Sequence, residues 1–232
     1  MYKYETHLHT SEASACASST GAELAAAHKE AGYDGIFVTD HFFNGNSSVP
    51  RELPWWEDRI ELYCKGYESA LRKGTEIGLD VFFGVEFTVQ GADFLLYGID
   101  KKWLIEHEFY LTVGDERALF RLVHEDGGFI VHAHPFRDYP YIPHISLYPH
   151  DVDAVEWINA SHGKDSVFDS RAKQYAEMYA LPLTGGSDTH SVDRMHGGGI
   201  LVPERINSPA DYLRQIKNGS VIPIDPNRTE NK

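Results

Sequence analysis

Three short segments of this chain place ligand-type side chains two residues apart: His7-Leu8-His9, His132-Ala133-His134 and Asp188-Thr189-His190. Each closes an apolar stretch, the last after Gly185 and Gly186. In an extended strand residues i and i+2 project to one face, so each pair can aim two donor atoms at one point. His41 follows the apolar run Gly35-Ile-Phe-Val-Thr39-Asp40, and Glu86 follows Val81-Phe-Phe-Gly-Val85. Imidazole and carboxylate suit zinc, manganese and iron, and the lack of cysteine at these positions disfavours a structural thiolate zinc site. The candidate ligands are His7, His9, His41, Glu86, His134, Asp188 and His190, with Glu12, His132 and His162 as further candidates. A single catalytic zinc takes about three protein ligands. So large a set fits two or three divalent ions (Zn, Mn or Fe) joined by bridging carboxylates. Such ions deprotonate a bridging water near neutral pH and clamp the attacking and leaving oxygens of a phosphoryl group. That water is the expected nucleophile.

Several residues carry two readings. Asp40 and Glu156 either bind metal or orient an imidazole, because a metal-bound histidine usually has a carboxylate or carbonyl behind it. Arg137, just after His134-Pro135, is a candidate phosphate contact through its planar fork, or a surface ion pair. His28, His107 and His124 read as helix or surface residues, while His144, His150 and His196 sit in loops.

The elements that must position these groups follow from the hydrophobic pattern. Residues 2–9 alternate as a strand. Thr20-Gly-Ala-Glu23 is a capping-box helix start, and Gly32 is placed to end that helix. Strands are expected at 35–39, 81–85, 94–97, 129–131, 153–158, 183–184 and 200–202, with helices at about 56–77, 115–126, 165–180 and 208–218. Two loops, 42–56 and 136–151, are rich in aromatics, and Pro140, Pro143 and Pro149 fall in the second. So long an irregular segment is more often functional than merely connecting. Strands alternating with helices indicate an α/β fold with a mainly parallel sheet. Nearly every candidate ligand follows a strand at its C-terminal end, the face that carries the active site in α/β barrels.

The chain of 232 residues is long enough for one domain over residues 1–232. Its formal charge of −14 argues against extended nucleic-acid binding, which needs dense Lys and Arg. Cys16 and Cys64 are too few for a disulfide framework. The N-terminus lacks a signal-peptide pattern and no run reaches the roughly 18 apolar residues of a membrane span, so a cytoplasmic location is the expectation.

The ordered set His7-x-His9, Thr39-Asp40-His41, Gly84-x-Glu86, Ala133-His134-Pro135 and Gly186-Ser-Asp188-x-His190 resembles the PHP (polymerase and histidinol phosphatase) family of metal-dependent phosphoesterases. The resemblance spans residues 4 to about 202 and implies a distorted TIM-like (β/α)7 barrel with a two- or three-metal centre at the C-terminal ends of the strands. It implies metal binding by His7, His9, His41, Glu86, His134, Asp188 and His190, and places Glu156-Trp-Ile-Asn159 near the site. One departure stands out. Many members carry an acidic residue or histidine five or six positions after the second histidine, where this chain has Ser14 and Ala15, and Glu12 is the candidate replacement. The implied substrate is a small phosphorylated metabolite or a nucleotide. The alternatives are a catalytically silent metal-binding module with a regulatory role, and metal-dependent amide or ring hydrolysis. The last usually uses a bridging lysine in mid-chain, where only Lys101 and Lys102 stand between Glu86 and His132.

Overall fold

The computed structural model describes residues 1–140, 142 and 144–227; Pro143 lies outside the described residues. In chain order the elements are β1 (Tyr2–Leu8), α1 (Gly21–Glu30), β2 (Gly35–Val38), α2 (Trp56–Tyr63), α3 (Lys65–Ile77), β3 (Asp80–Val89), β4 (Ala92–Tyr97), α4 (Lys101–Glu106), α5 (Glu108–Thr112) and α6 (Glu116–Glu125). They continue with β5 (Phe129–Ala133), β6 (Ala154–Asn159), α7 (Val167–Tyr179), β7 (Leu183–Gly186), β8 (Ile200–Val202), α8 (Pro209–Lys217) and β9 (Ile222–Pro223).

Local chemistry explains most boundaries. Thr20 and Glu23 form the reciprocal capping box of α1. Gly78, at φ 69°, closes α3 in the left-handed conformation that glycine adopts without strain. The single helix expected over 56–77 is two helices joined at Cys64. The segment after Gly98, expected to be a polar loop, starts with Asp100 as the N-cap of α4, accepting from the Trp103 amide at 2.8 Å. The strand at 94–97 is longer than expected and pairs antiparallel with β3 through the turn Gln90-Gly91, both residues at positive φ.

The sheet order is β7-β6-β5-β4-β3-β2-β1-β8-β9. β1, β2 and β3 are mutually parallel, as are β5, β6 and β7, while β4 and β8 run against their neighbours. The ends approach one another, since Leu8 bridges Thr189 and the Thr6 hydroxyl donates to the Gly185 carbonyl. The result is a nearly closed, distorted TIM-like barrel. Glu5, fully buried, ties this seam from below: one carboxylate oxygen accepts from the amides of Thr6, His7 and Ser187, each at 2.9 Å. No helix among the described residues is long and apolar enough to cross a membrane.

Alternation along the strands separates an inner layer from an outer one. Tyr4, Phe37, Leu95, Tyr97, Phe129 and Val131 pack together inside the barrel. Phe94, Phe120, Ile130 and Tyr148 belong to the cluster beneath the covering helices. His132 lies on that outer side, across from Phe94 and stacked on it at 4.8 Å, with the rings of Tyr148 and Tyr175 edge-on. It is fully buried and neither ring nitrogen has a hydrogen-bond partner among the described residues.

This environment gives His132 a pH signature. Burial first, then the neighbouring His134, lowers its pKa to about 3. Below about pH 6.5 the unfolded chain takes up the proton that the native state refuses, so stability is complete above that pH and falls as the pH drops toward 3. His132→Leu is expected to keep or raise stability at pH 7, because an unpartnered polar ring is replaced by an apolar group of similar size. At pH 5 the chelator-treated variant should exceed the parent by about 2 kcal/mol, read by urea unfolding. Equal or greater acid sensitivity in the variant would contradict this account.

Candidate metal centre

At the C-terminal ends of the strands the side chains of His7, His9, Glu86, His134 and Asp188 converge, nearly all out of solvent. His7 Nε2 and His9 Nε2 stand 3.1 Å apart, and His9 Nε2 lies 3.0 Å from Asp188 Oδ1. Glu86 Oε1 is 3.2 Å from His7 Nε2 and 3.3 Å from His134 Nε2. Its other oxygen faces His41 Nδ1, and neither of those two atoms has a hydrogen-bond partner of proper geometry. The rings of His41 and His190 stack on either side of His9, with centroids at 4.3 and 4.4 Å.

The hydrogen bonds behind the rings decide which nitrogen is free. His7 Nδ1 meets Glu156 at 2.9 Å, and His190 Nδ1 donates to the Asp188 carbonyl at 2.8 Å. Ser14 donates its hydroxyl proton to Asp40 at 2.7 Å, so its oxygen accepts from His9 Nδ1 at 3.3 Å and from the His41 amide at 3.0 Å. All three imidazoles are thus held in the tautomer whose Nε2 lone pair is exposed to the centre, the arrangement that supports metal ligation. Four overlapping triads have donor atoms within 4.8 Å of one another: His9-His41-His190, His7-His134-Asp188, His7-His9-Glu86 and Glu86-Asp93-His134. Ligands of one zinc, each at about 2.0–2.2 Å, must lie this close. The donor set fits divalent metal binding, and Glu86 is the one carboxylate among the four residues, with His7, His9 and His134, that belong to two triads.

Two ligands arrive by backbone conformations that strand alternation does not supply. β5 ends at Ala133, and His134 has φ 27°, which turns its ring inward although His132 points out. Asp188 has φ 54°. The glycines before it have a steric cause: a Cβ on Gly186 would stand 2.4 Å from Glu156 Oε1 and 2.6 Å from His7 Cβ.

The remaining sequence candidates take other places. Glu12 does not reach the centre; its carboxylate accepts from the Gly21 amide at 3.1 Å, where the N-terminus of α1 attracts it. Glu156 orients His7 and also accepts from the His134 amide at 3.1 Å and from Asn159 at 2.9 Å. Asp40 fixes the loop after His9 through the Thr10 amide at 2.6 Å and Ser14. His162 joins Asp169 at 2.5 Å and receives the Arg137 Nε at 3.2 Å. Arg137 in turn donates to Asp188 at 2.6 Å and is nearly buried, so it grips a candidate ligand from behind.

Two residues near the centre escaped the sequence reading. Asp93 joins Glu86 because the antiparallel register sets Asp93 opposite Thr88 and Leu95 opposite Glu86. Gly91 was the available signal for that turn, and a period of two from it puts Asp93 on the Glu86 face. Cys16 lines the mouth of the centre with its thiol toward His41 and His190.

The charges are mutually compensating. Burial opposes ionisation of Glu86 and Asp188, yet His41 and His9 beside the first, and Arg137 and His7 beside the second, hold both pKa values well below the carboxylate range. Burial opposes protonation of His7, but Glu156 and Asp188 hold its pKa well above the ordinary value. His41, also desolvated, is raised by Glu86 to about 11. Above the centre opens a cleft of about 880 Å³ lined by His41, Asp93, Arg137, Asp188, His190 and Arg194, among others.

Fold and site together describe a nearly closed, distorted TIM-like α/β barrel with a cluster of potential metal-binding side chains at the strand ends. A family model described as PHP-associated matches residues 169–221. Three solved structures share the fold. A two-domain protein from Bacteroides vulgatus containing a predicted PHP-like metal-dependent phosphoesterase superposes with a TM-score of 0.69 at 15% identity, over 97% of this chain and 64% of that one. The chain therefore spans just under two thirds of that protein's length. An inferred metal-dependent phosphoesterase from Bifidobacterium adolescentis gives 0.54 at 16% identity, over 95% and 97% of the two chains. An amidohydrolase from Chromobacterium violaceum, solved with bound sulfate and no metal, gives 0.56 at 15%, over 99% and 100%. Among curated proteins none matches the chain in sequence. In fold, in the order of its ligand motifs and in the matched C-terminal segment, the chain is similar to PHP-type proteins.

Metal uptake by this cluster must displace protons, because His41 in the metal-free protein is protonated at neutral pH. Calorimetric titration of chelator-stripped protein with zinc, in buffers of different ionisation enthalpy, is expected to show net proton release at pH 7. The apparent affinity should rise as the pH is raised from 6 to 8. Uptake without proton release would contradict the charge assignment.

Proposed function

We propose that this protein is a metal-dependent phosphoesterase acting on a small phosphorylated molecule, a metabolite or a nucleotide. The observation that carries the reading is the convergence of His7, His9, Glu86, His134 and Asp188 beneath a cleft large enough for a small substrate. Divalent ions held by these residues, with His41 and His190, would supply Lewis acidity and a water acidic enough to attack phosphorus at neutral pH. Glu156 and Asp40, through Ser14, keep the imidazole lone pairs aimed at the centre. Arg137 sets Asp188 by its ion pair and stands at the cleft wall, where its remaining donors can meet a phosphoryl oxygen. The sulfate in the Chromobacterium violaceum relative supports an anion-binding reading of this shared fold.

That relative's description as an amidohydrolase favours a second reading, hydrolysis of an amide. The lysines between Glu86 and His132 lie outside the centre. Lys101 is bound to Glu61 and Glu68 at 2.7 Å each, and Lys102 is 79% exposed. Neither lysine would reach metal ions held by the cluster, which counts against the amide reading.

Metal-loaded protein is expected to cleave at least one member of a broad panel of phosphate monoesters and diesters. Asp188→Asn should lower turnover by more than ~100-fold, and Glu156→Gln by ~10–100-fold, the range for groups that orient a ligand. Cleavage of amides alone would favour the second reading. Bound metal with no turnover on either panel would identify a silent binding module.

A further inference from the structure

We infer that Cys16 is a metal ligand, its thiolate joining His41 and His190 at the outer edge of the centre and selecting a sulfur-tolerant ion such as zinc or iron(II) there. The inference rests on the reading of this cluster as a metal centre. It concerns the loop in which the chain departs, at Ser14 and Ala15, from the ligand pattern that its motifs resemble, with Cys16 the next residue.

The loop from Thr10 to Ser19 offers two ligand-type side chains, Glu12 and Cys16. Glu12 is committed to the Gly21 amide. Cys16 is held in place from both sides, as the Ala15 amide donates to the Asn46 carbonyl and the Ser18 amide to the His190 carbonyl, each at 2.9 Å. Ser14 anchors the same loop to Asp40 at 2.7 Å. Cys16 lines the same cleft as His41 and His190, and these two imidazoles are the partners of its thiol.

A second observation points to a ligand in the same space. Glu86 is 1% exposed, and its Oε2, which faces His41, has no hydrogen-bond partner among the described residues. His190 has its Nδ1 bonded to the Asp188 carbonyl, so its Nε2 is uncommitted. Three neutral imidazoles and one shared carboxylate leave a divalent ion with positive charge and an open position, and an adjacent thiolate meets both needs. Thiolate favours zinc and iron over manganese and magnesium, whose preferred ligands are oxygens. Cys64 is an internal control, since it is buried in the apolar cluster beside Tyr63 and does not line the cleft.

Zinc-loaded full-length protein, examined by X-ray absorption at the zinc edge, is expected to show a sulfur shell at ~2.3 Å alongside nitrogen and oxygen. Cys64→Ser should retain that shell. Cys16→Ser should lose it, and its preference for zinc over manganese in competition should fall by at least about tenfold. Zinc bound to the wild type with no sulfur shell, or a shell that survives in Cys16→Ser, overturns the inference while leaving the metal centre intact. A chain that binds no zinc at all overturns the metal-centre reading and this inference with it.

Discussion

Burying ionised groups together is the constraint to which the rest of this molecule answers. Glu86, Asp188 and Glu156 are removed from water within a few ångströms of one another. An isolated carboxylate in that setting would take up a proton rather than stay charged. Each instead meets a cation or several donors: Glu86 faces four imidazoles, Asp188 meets Arg137 and His9, and Glu156 holds His7, the His134 amide and Asn159. The same bonds fix the ring orientations, so charge compensation and ligand geometry are one network. A half-satisfied version would be worse than an apolar core.

The barrel makes that network affordable in conformational terms. Parallel strands deliver side chains to a common end, and each strand contributes its last one or two residues. The two departures from regular strand are placed where ligands must be redirected. His134 and Asp188 both occupy positive φ, a conformation that costs a non-glycine residue roughly 1 kcal/mol or more. Both are clasped by bonds that pin the conformation, the His134 amide by Glu156 and the Asp188 side chain by Arg137. The antiparallel β4 serves the same end differently, adding Asp93 from a hairpin that a uniform β/α repeat would not contain.

Legibility in the sequence followed this division. Where chemistry rode on regular periodicity, the residues were readable: His7 and His9 do face one another from the end of β1, as strand alternation requires. The ordered motifs also announced the barrel and which end of it matters. At His132 and His134 the same rule failed, because it assumes that the strand continues, and one left-handed residue reverses the outcome. Asp93 was hidden by a strand start read two residues late, and Glu5 by looking like one polar tooth of an alternating strand. Glu12 was credited with reach that the helix terminus at Gly21 takes away. Cys16, one residue past the Ser14-Ala15 window and four past Glu12, carries no sequence signal beyond being one of two cysteines. Periodicity and motif order locate strands and their ends; what a loop side chain bonds to is a tertiary fact.

The sign of the field in the cleft follows from these assignments. The chain carries a formal charge of −14, and Glu86, Asp93 and Asp188 lie at the base of the cleft. On the phosphoesterase reading, a phosphorylated molecule approaching the metal-free protein meets that potential offset by protonated His41 and His7, by Arg137, already paired, and by the rim residue Arg194. Divalent ions in the ligand cluster would be the largest local charges and would reverse the potential at the point where a phosphoryl group must sit. Metal occupancy and anionic-substrate binding are then thermodynamically coupled, each strengthening the other by the same factor. On the proposed reading, the acidic composition, which at first speaks only against nucleic-acid tracks, would leave the bound cations as the main attraction for an anionic substrate.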